Sequence, residues 1–222
     1  MSTETTSINT PEFFFKIPDY EDGLSRAANI AIQMGAMSSR LVLEERTHCN
    51  HPDGRAENVA EHGFMLAKIA PELVAELYPA LDENLVARYA GIHDDVEAYV
   101  CDTATDHITP QGMLDKKERE KSGIEQLKHE YAHIPGYVQR VVEYEEQIIP
   151  EARAVRVIDK LTVQLIHLPN NGTILKQNYT SEQLLDNSRR KAAELHEEYP
   201  DFEALIDLRE ELALHAADLF LS

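Results

Sequence analysis

Three stretches of the chain put ionisable side chains where helical periodicity calls for apolar ones. Val59, His62, Leu66, Ile69 and Leu73 recur at i, i+3, i+7, i+10 and i+14, so His62 falls inside the buried stripe of a helix. Leu85, Tyr89, Ile92 and Val96 form a second stripe with His93 at its edge. On that helix Asp94 stands about 100° further round and Glu97 one turn beyond His93. In a third stretch Val155, Asp159, Thr162 and Ile166 line one face, which sets a carboxylate among core residues. A carboxylate taken from water needs a partner or a proton, at a cost of several kcal/mol otherwise. One divalent cation between His62, His93, Asp94 and Asp159 satisfies that demand. Two imidazoles and two carboxylates suit Mn, Fe, Co, Ni or Zn and leave positions for water or a phosphate oxygen. A metal so held lowers the pKa of its water and produces hydroxide near neutral pH. The same residues admit a plainer reading: His62 alone fits a hydrogen-bonded core histidine, and Arg153, Arg156 or another cation can neutralise Asp159.

The elements that must position these groups are helical. The pattern predicts a first helix over about 21–43, with Asp22 as N-cap, then a loop, ERTHCNHPDGR. A second helix is expected from about Glu57 to Leu77, with Pro71 as a kink or break, and a third over about 83–100. After a loop, TATDHITPQG, helices are expected near 112–133, 136–146, 151–167, 180–197 and 200–220. Strand alternation is nearly absent. The fold class is all-α, with the acidic C-terminal helices as solvated outer elements.

Bulk composition narrows the partners. A chain of 222 residues suits one domain, and 43% apolar with 27% charged residues is globular composition. Asp and Glu number 40 against 21 Lys and Arg, a formal charge of −19 that repels a nucleic acid polymer. A small phosphorylated ligand remains accessible where basic residues or a metal reverse the local field. No stretch approaches the roughly 20 apolar residues that span a bilayer, so no membrane partner is expected. MSTETTSINT lacks the features of a signal peptide, and two cysteines, Cys49 and Cys101, suit a reducing, cytoplasmic location. Phe13-Phe14-Phe15 and the stripe Leu24, Ala27, Ala28 and Ala31 offer a surface for a homodimer or for packing within the monomer.

Four motifs then stand in order over about residues 40–168. They are Arg55-Ala56-Glu57-Asn58-Val59-Ala60-Glu61-His62, Ile92-His93-Asp94-Asp95-Val96-Glu97, Asp102-Thr103, and Val157-Ile158-Asp159-Lys160-Leu161. Together they resemble the HD-domain metal-dependent phosphohydrolases, an all-α superfamily with the signature H…HD…D, and within it the bacterial HD-domain 5′-deoxynucleotidases. The resemblance implies one divalent metal ion (Mn, Co, Ni, Fe, Mg or Zn) on His62, His93, Asp94 and Asp159, and Asp94 and Glu97 as catalytic carboxylates. It implies substrate contacts from Arg46, Arg55, Asp102 and Lys160, with Arg55 favoured over Arg46 for phosphate, and a small nucleotide as substrate. Residues 1–10 would be a flexible polar tail and 11–222 a single HD-type domain with additional C-terminal helices. The reaction implied is release of phosphate from deoxynucleoside 5′-monophosphates.

The chain departs from the branch at two places. Thr47, followed by His48-Cys49-Asn50-His51, stands where an aromatic residue usually follows the first arginine, and no glycine precedes Asp102. The first departure keeps a dNTP triphosphohydrolase or an alarmone-type pyrophosphohydrolase open. A di-iron oxygenase would need further ligands from His107, His129 and His133, and a degenerate binding module would bind no metal.

Overall fold

Local capping chemistry decides where the helices begin. The computed structural model describes residues 18–51, 53–100 and 109–222, without the side chains of 47–50 and 110. Phe13-Phe14-Phe15, Asp102 and His107 lie outside the described residues. Helix α1 (Arg26–Leu43) starts where the Ser25 hydroxyl accepts from the Ala28 N–H. This corrects the expected start at 21 with Asp22 as cap. The Asn29 side chain accepts from the Glu21 N–H and donates to the Glu21 carbonyl, holding 21–25 as a turn ahead of the helix. The buried face of α1 carries Asn29, Gln33, Ala36, Met37 and Leu41, whereas Leu24, Ala27 and Ala31 are exposed.

The segment expected as loop is instead an antiparallel hairpin, β1 (Glu45–Asn50) and β2 (Ala56–Asn58), with Glu45 opposite Asn58. Gly54, at φ +86°, takes the left-handed conformation of its turn. Helix α2 (Val59–Leu77) begins with a reciprocal cap: Asn58 accepts from the Glu61 N–H, and Glu61 accepts from the Asn58 N–H. Pro71 lies inside α2 without ending it.

The expected helix over 83–100 is broken. Helix α3 (Glu83–Ala90) stops at Gly91, residues 91–96 form successive turns, and only a short α4 (Glu97–Val100) follows. The turns are held by bonds from Asp95 N–H to Ile92 O and from Glu97 N–H to Asp94 O, three residues back rather than four. Helices α5 (Pro110–Glu130), α6 (Pro135–Glu146) and α7 (Pro150–Thr162) each start on a proline, whose missing N–H costs nothing in a first turn. Helix α7 ends five residues before its expected boundary at 167. Turns then lead to the short helix α8 (Thr173–Asn178), which periodicity did not reveal. Helix α9 (Ser181–Glu198), a 3₁₀ turn over Pro200–Phe202 and α10 (Glu203–Phe220) complete the all-α fold.

Apolar burial divides into two main clusters. One joins Leu66 and Val74 of α2, Tyr89 of α3, Val155 and Ile158 of α7, Leu195 of α9 and Leu205 and Ile206 of α10. The other joins Met37, Val59, Val96, Leu127, Tyr131, Tyr137 and Val141, and Ile92 packs against both. The C-terminal helices are therefore part of the core, not solvated outer elements. Their charges face outward while Ala192, Leu195, Leu205 and Ile206 face in. Arg209 of α10 is itself buried, donating to Ser188 O and Oγ at 2.9 and 2.7 Å and to Lys160 O at 3.2 Å. Among the described residues no helix is long and apolar enough to cross a membrane.

Gly172 shows how tightly this end is packed. Its φ is +68°, and a Cβ there would overlap the Phe220 ring. Gly172→Ala is expected to destabilise the protein by about 2–4 kcal/mol, combining left-handed strain with overpacking. Urea denaturation measures it; an unchanged midpoint would refute the close approach.

Candidate metal centre

His62 projects from the second turn of α2, His93 and Asp94 from the turns after α3, and Asp159 from α7. The contact between them spans 97 residues of chain: His62 Nε2 lies 2.9 Å from Asp159 Oδ1. His93 Nε2 is 2.9 Å from Asp94 Oδ2 and 4.0 Å from Asp159 Oδ1. The imidazole centroids are 5.2 Å apart, and one donor atom each from His62, His93 and Asp94 lies within 4.8 Å of the others. Both histidines and Asp159 are buried, and Asp94 is half-buried. All four residues expected to surround a cation are thus in one place.

The donor set fits a metal. His93 Nδ1 faces the Ala90 carbonyl at 2.9 Å; donating there leaves Nε2 as the lone-pair nitrogen of the neutral ring. That Nε2 is buried, with the Asp94 Oδ2 oxygen 2.9 Å away. A nitrogen lone pair and a carboxylate oxygen turned toward one point repel unless positive charge sits between them. The electrostatics agree. Burial alone lowers the His93 pKa, but the Asp94 and Asp159 carboxylates outweigh it and the net shift is upward. Burial likewise raises the Asp94 and Asp159 carboxyls. For Asp94 the His93 charge overcomes it, and for Asp159 Lys160 with the two histidines does, so both end below the ordinary range. A divalent cation is a stronger source of the same positive charge than a proton.

The remaining expected residues divide. Arg46, on β1, reaches across 48 residues to place Nη1 3.0 Å from Asp94 Oδ2, with Nε 3.8 Å from Glu57 Oε2. Arg55 does not join it. Its guanidinium makes paired bonds of 2.8 and 2.9 Å to Glu61, the residue that caps α2. Lys160 Nζ bonds Asp159 Oδ2 at 2.7 Å. Glu97 begins α4, and its N–H bonds the Asp94 carbonyl, so it stands one turn beyond Asp94 rather than on the His93 line. Arg153 and Arg156 approach Asp201 and Glu145 instead of pairing with Asp159. His129 and His133 belong to no metal-ligating group among the described residues.

Two residues escaped the sequence reading. Glu57 is buried with Oε2 3.8 Å from His62 Nδ1, facing the ring nitrogen that Asp159 does not contact. Asp95 is buried and accepts from the Tyr137 hydroxyl at 2.6 Å; burial pushes its carboxyl up to about 7. Both sit inside the quoted motifs, where nothing local marks which of two adjacent aspartates turns inward.

The model for the HD domain matches residues 39–200. The chain belongs to the HD-domain family. No curated protein matches the sequence. Among solved structures, that of a predicted metal-dependent phosphohydrolase from Magnetospirillum magnetotacticum MS-1 aligns at a TM-score of 0.63 and 24% identity, over 92% of this chain and 99% of that one. A conserved hypothetical protein from Pyrococcus furiosus aligns over 73% of this chain and 96% of its own, at 21% identity and a TM-score of 0.48. The first of these likenesses carries the shared fold. The His93-Asp94 pair is the one that gives HD domains their description, and it sits at the centre of the cluster.

Asp159→Asn should weaken Mn²⁺ or Co²⁺ binding by more than the roughly 10–100-fold typical of losing an outer partner. Calorimetric titration measures this, and undiminished affinity would remove Asp159 from the coordination set. Glu61, held down to about 2 chiefly by its hydrogen bonds to Arg55, contributes stability that is complete above the ordinary carboxyl range and lost as pH falls toward 2. Glu61→Gln should therefore be less stable than wild type at pH 7, with the gap closing on acidification; a constant gap would contradict the linkage.

Proposed function

We propose that this HD-domain protein is a metal-dependent phosphohydrolase acting on nucleotides, with deoxynucleoside 5′-monophosphates as substrates and phosphate as product. The observation that carries the reading is the convergence of His62, His93, Asp94 and Asp159 with a guanidinium, that of Arg46, reaching the same carboxylate. A divalent cation held there would supply Lewis-acid polarisation of a phosphoryl oxygen and an acidified water. The phosphohydrolase description of the Magnetospirillum protein accords with that chemistry.

The side chains divide the remaining work. Arg46 exchanges its contact with Asp94 for the phosphate oxygens and offsets their charge in a chain that is otherwise strongly acidic. Lys160 holds one oxygen of Asp159 and keeps the other turned toward His62. Glu97, one turn beyond Asp94, manages the proton of the attacking water or the leaving oxygen. Asp102 is assigned to the nucleoside sugar. Next to the cluster a cleft of about 210 Å³, bounded by Leu41, Val59, Ala60, Phe64 and Ala67, meets His93 and Asp94. Its apolar walls suit a ring system, and its lining offers no Lys or Arg to neutralise a second or third phosphate, which favours a short nucleotide.

Phosphate release from a panel of nucleotides, after loading with Mn²⁺, Co²⁺, Ni²⁺ or Mg²⁺, tests the reading. Asp94→Ala should abolish turnover, and Glu97→Gln should reduce kcat about 10²–10⁴-fold. Arg46→Ala should lower kcat/KM about 10–100-fold, as loss of a charge-assisted contact does, while Arg55→Ala changes it little. Intact triphosphate or pyrophosphate as product would replace monophosphate hydrolysis by the polyphosphate reactions of related scaffolds. Turnover unchanged in Asp94→Ala would end the proposal.

A further inference from the structure

Away from the metal cluster a cleft of about 420 Å³ opens between α3 and α6, with two arginines in its lining. Arg88 projects into it from α3 and Arg140 from α6. Among the described residues neither guanidinium has an ion pair or a hydrogen bond, in a chain with 40 acidic residues. Carboxylates are close by, but other groups hold them. Asp82 accepts from the Asn84 and Leu85 N–H groups as the cap of α3. Glu143 accepts from the Tyr89 hydroxyl and from the Gln139 amide, each at 2.7 Å. The wall therefore carries two guanidiniums without an ion pair, the side-chain amide of Asn84, and the Asp82 and Glu143 carboxylates, which keep their charge while neutral donors fix their direction.

We propose that this cleft is a second anion site, which binds the phosphate of a small ligand between Arg88 and Arg140. A guanidinium offers a planar fork of donors matched to phosphate oxygens, and two from facing helices clamp one phosphate more strongly than either alone. The volume exceeds what a lone phosphate needs and falls in the range of small-molecule pockets, so a nucleotide has room beside its phosphate. The helices it would bridge both reach the metal cluster. Helix α3 runs directly into the turns that carry His93 and Asp94, and α6 supplies Tyr137 to Asp95 and Tyr144 against the His93 ring, centroids 6.1 Å apart. Closing α3 onto α6 restrains the turns on which two metal ligands stand, which makes the site regulatory in position. This inference stands apart from the reaction proposed for the metal cluster.

Calorimetric titration of the full-length, metal-loaded protein with inorganic phosphate and, separately, with ADP tests it. Wild type should bind at least one probe saturably. Arg88→Ala and Arg140→Ala should each weaken that binding about tenfold or more, the loss of one charge-assisted contact. Arg46→Ala, at the metal cluster, should retain it. Binding by ADP alone identifies a nucleotide as the ligand, and equal binding by both identifies the phosphate group itself. Helix α3 keeps its Asp82 cap and α6 its N-terminal Pro135 in these variants, and thermal melting confirms that each is folded. Binding lost in Arg46→Ala but kept in Arg88→Ala and Arg140→Ala would place the anion on the metal cluster and overturn the proposal. So would the absence of saturable binding in wild type.

Discussion

Two carboxylates, Asp94 and Asp159, are withdrawn from water beside two imidazoles, and most of the surrounding structure answers the charge this creates. Burial opposes ionisation of both, yet both stay ionised, because Lys160 and the His62 and His93 rings hold Asp159 and the His93 charge holds Asp94. Removing one partner from such a group costs more than the group contributes as a whole, since it strands a charge in a poorly solvating place. That asymmetry explains why the compensating residues come from separate elements. Arg46 arrives on β1, Lys160 on α7, and the Ala90 carbonyl fixes His93 from the end of α3. An arrangement so poised for positive charge is one that a divalent cation completes.

The ligands also depend on helices far along the chain. Asp159 lies on α7, which packs against α2, α3 and α10, and Arg209 bonds the carbonyl of Lys160, the next residue. Arg209 is buried and its pKa is lowered by that burial, so the three bonds it makes to α7 and α9 offset a real desolvation cost. The second half of the chain is thus not an appendage to an HD core. It holds Asp159 in place beside His62 and His93.

What could be read from the residues follows from which physical signals are local. His62 and Asp159 stood out because a single ionisable group in an apolar stripe is an anomaly that periodicity exposes, and the structure buries both. The break after Ala90 was hidden, because Ile92 and Val96 continue the helical stripe even though turns of three residues carry the backbone. The hairpin was hidden for the opposite reason: Glu45–Asn50 has almost no apolar alternation, and its pairing with Ala56–Asn58 supplies what its own pattern lacks. Helix α10 reads as solvated from the acids scattered along it, yet Leu205, Ile206 and Ala213 face inward. The expectation that favours Arg55 over Arg46 takes no account of a competitor: Glu61, needed as a cap, lies within reach of Arg55 and binds it.

That competition bears on how substrate preference is built. The Val59 N–H bonds the Glu44 carbonyl, and Glu45 stands opposite Asn58, so Arg46 on one strand and His62 on the helix after the other are set by one register. Shifting that register by one residue would turn Arg46 to the other face of the ribbon and remove its guanidinium from Asp94. The far end of the hairpin carries no such burden. His51 and Glu61 approach each other at 3.1 Å there, Arg55 joins them, and the intervening turn has only its left-handed Gly54 as a fixed requirement. Thr47 through His51, where the chain departs from the nucleotidase pattern, occupy this outer part of the same ribbon. The pairing that delivers Arg46 to Asp94 thus depends on the inner end of the hairpin, where Glu45 meets Asn58.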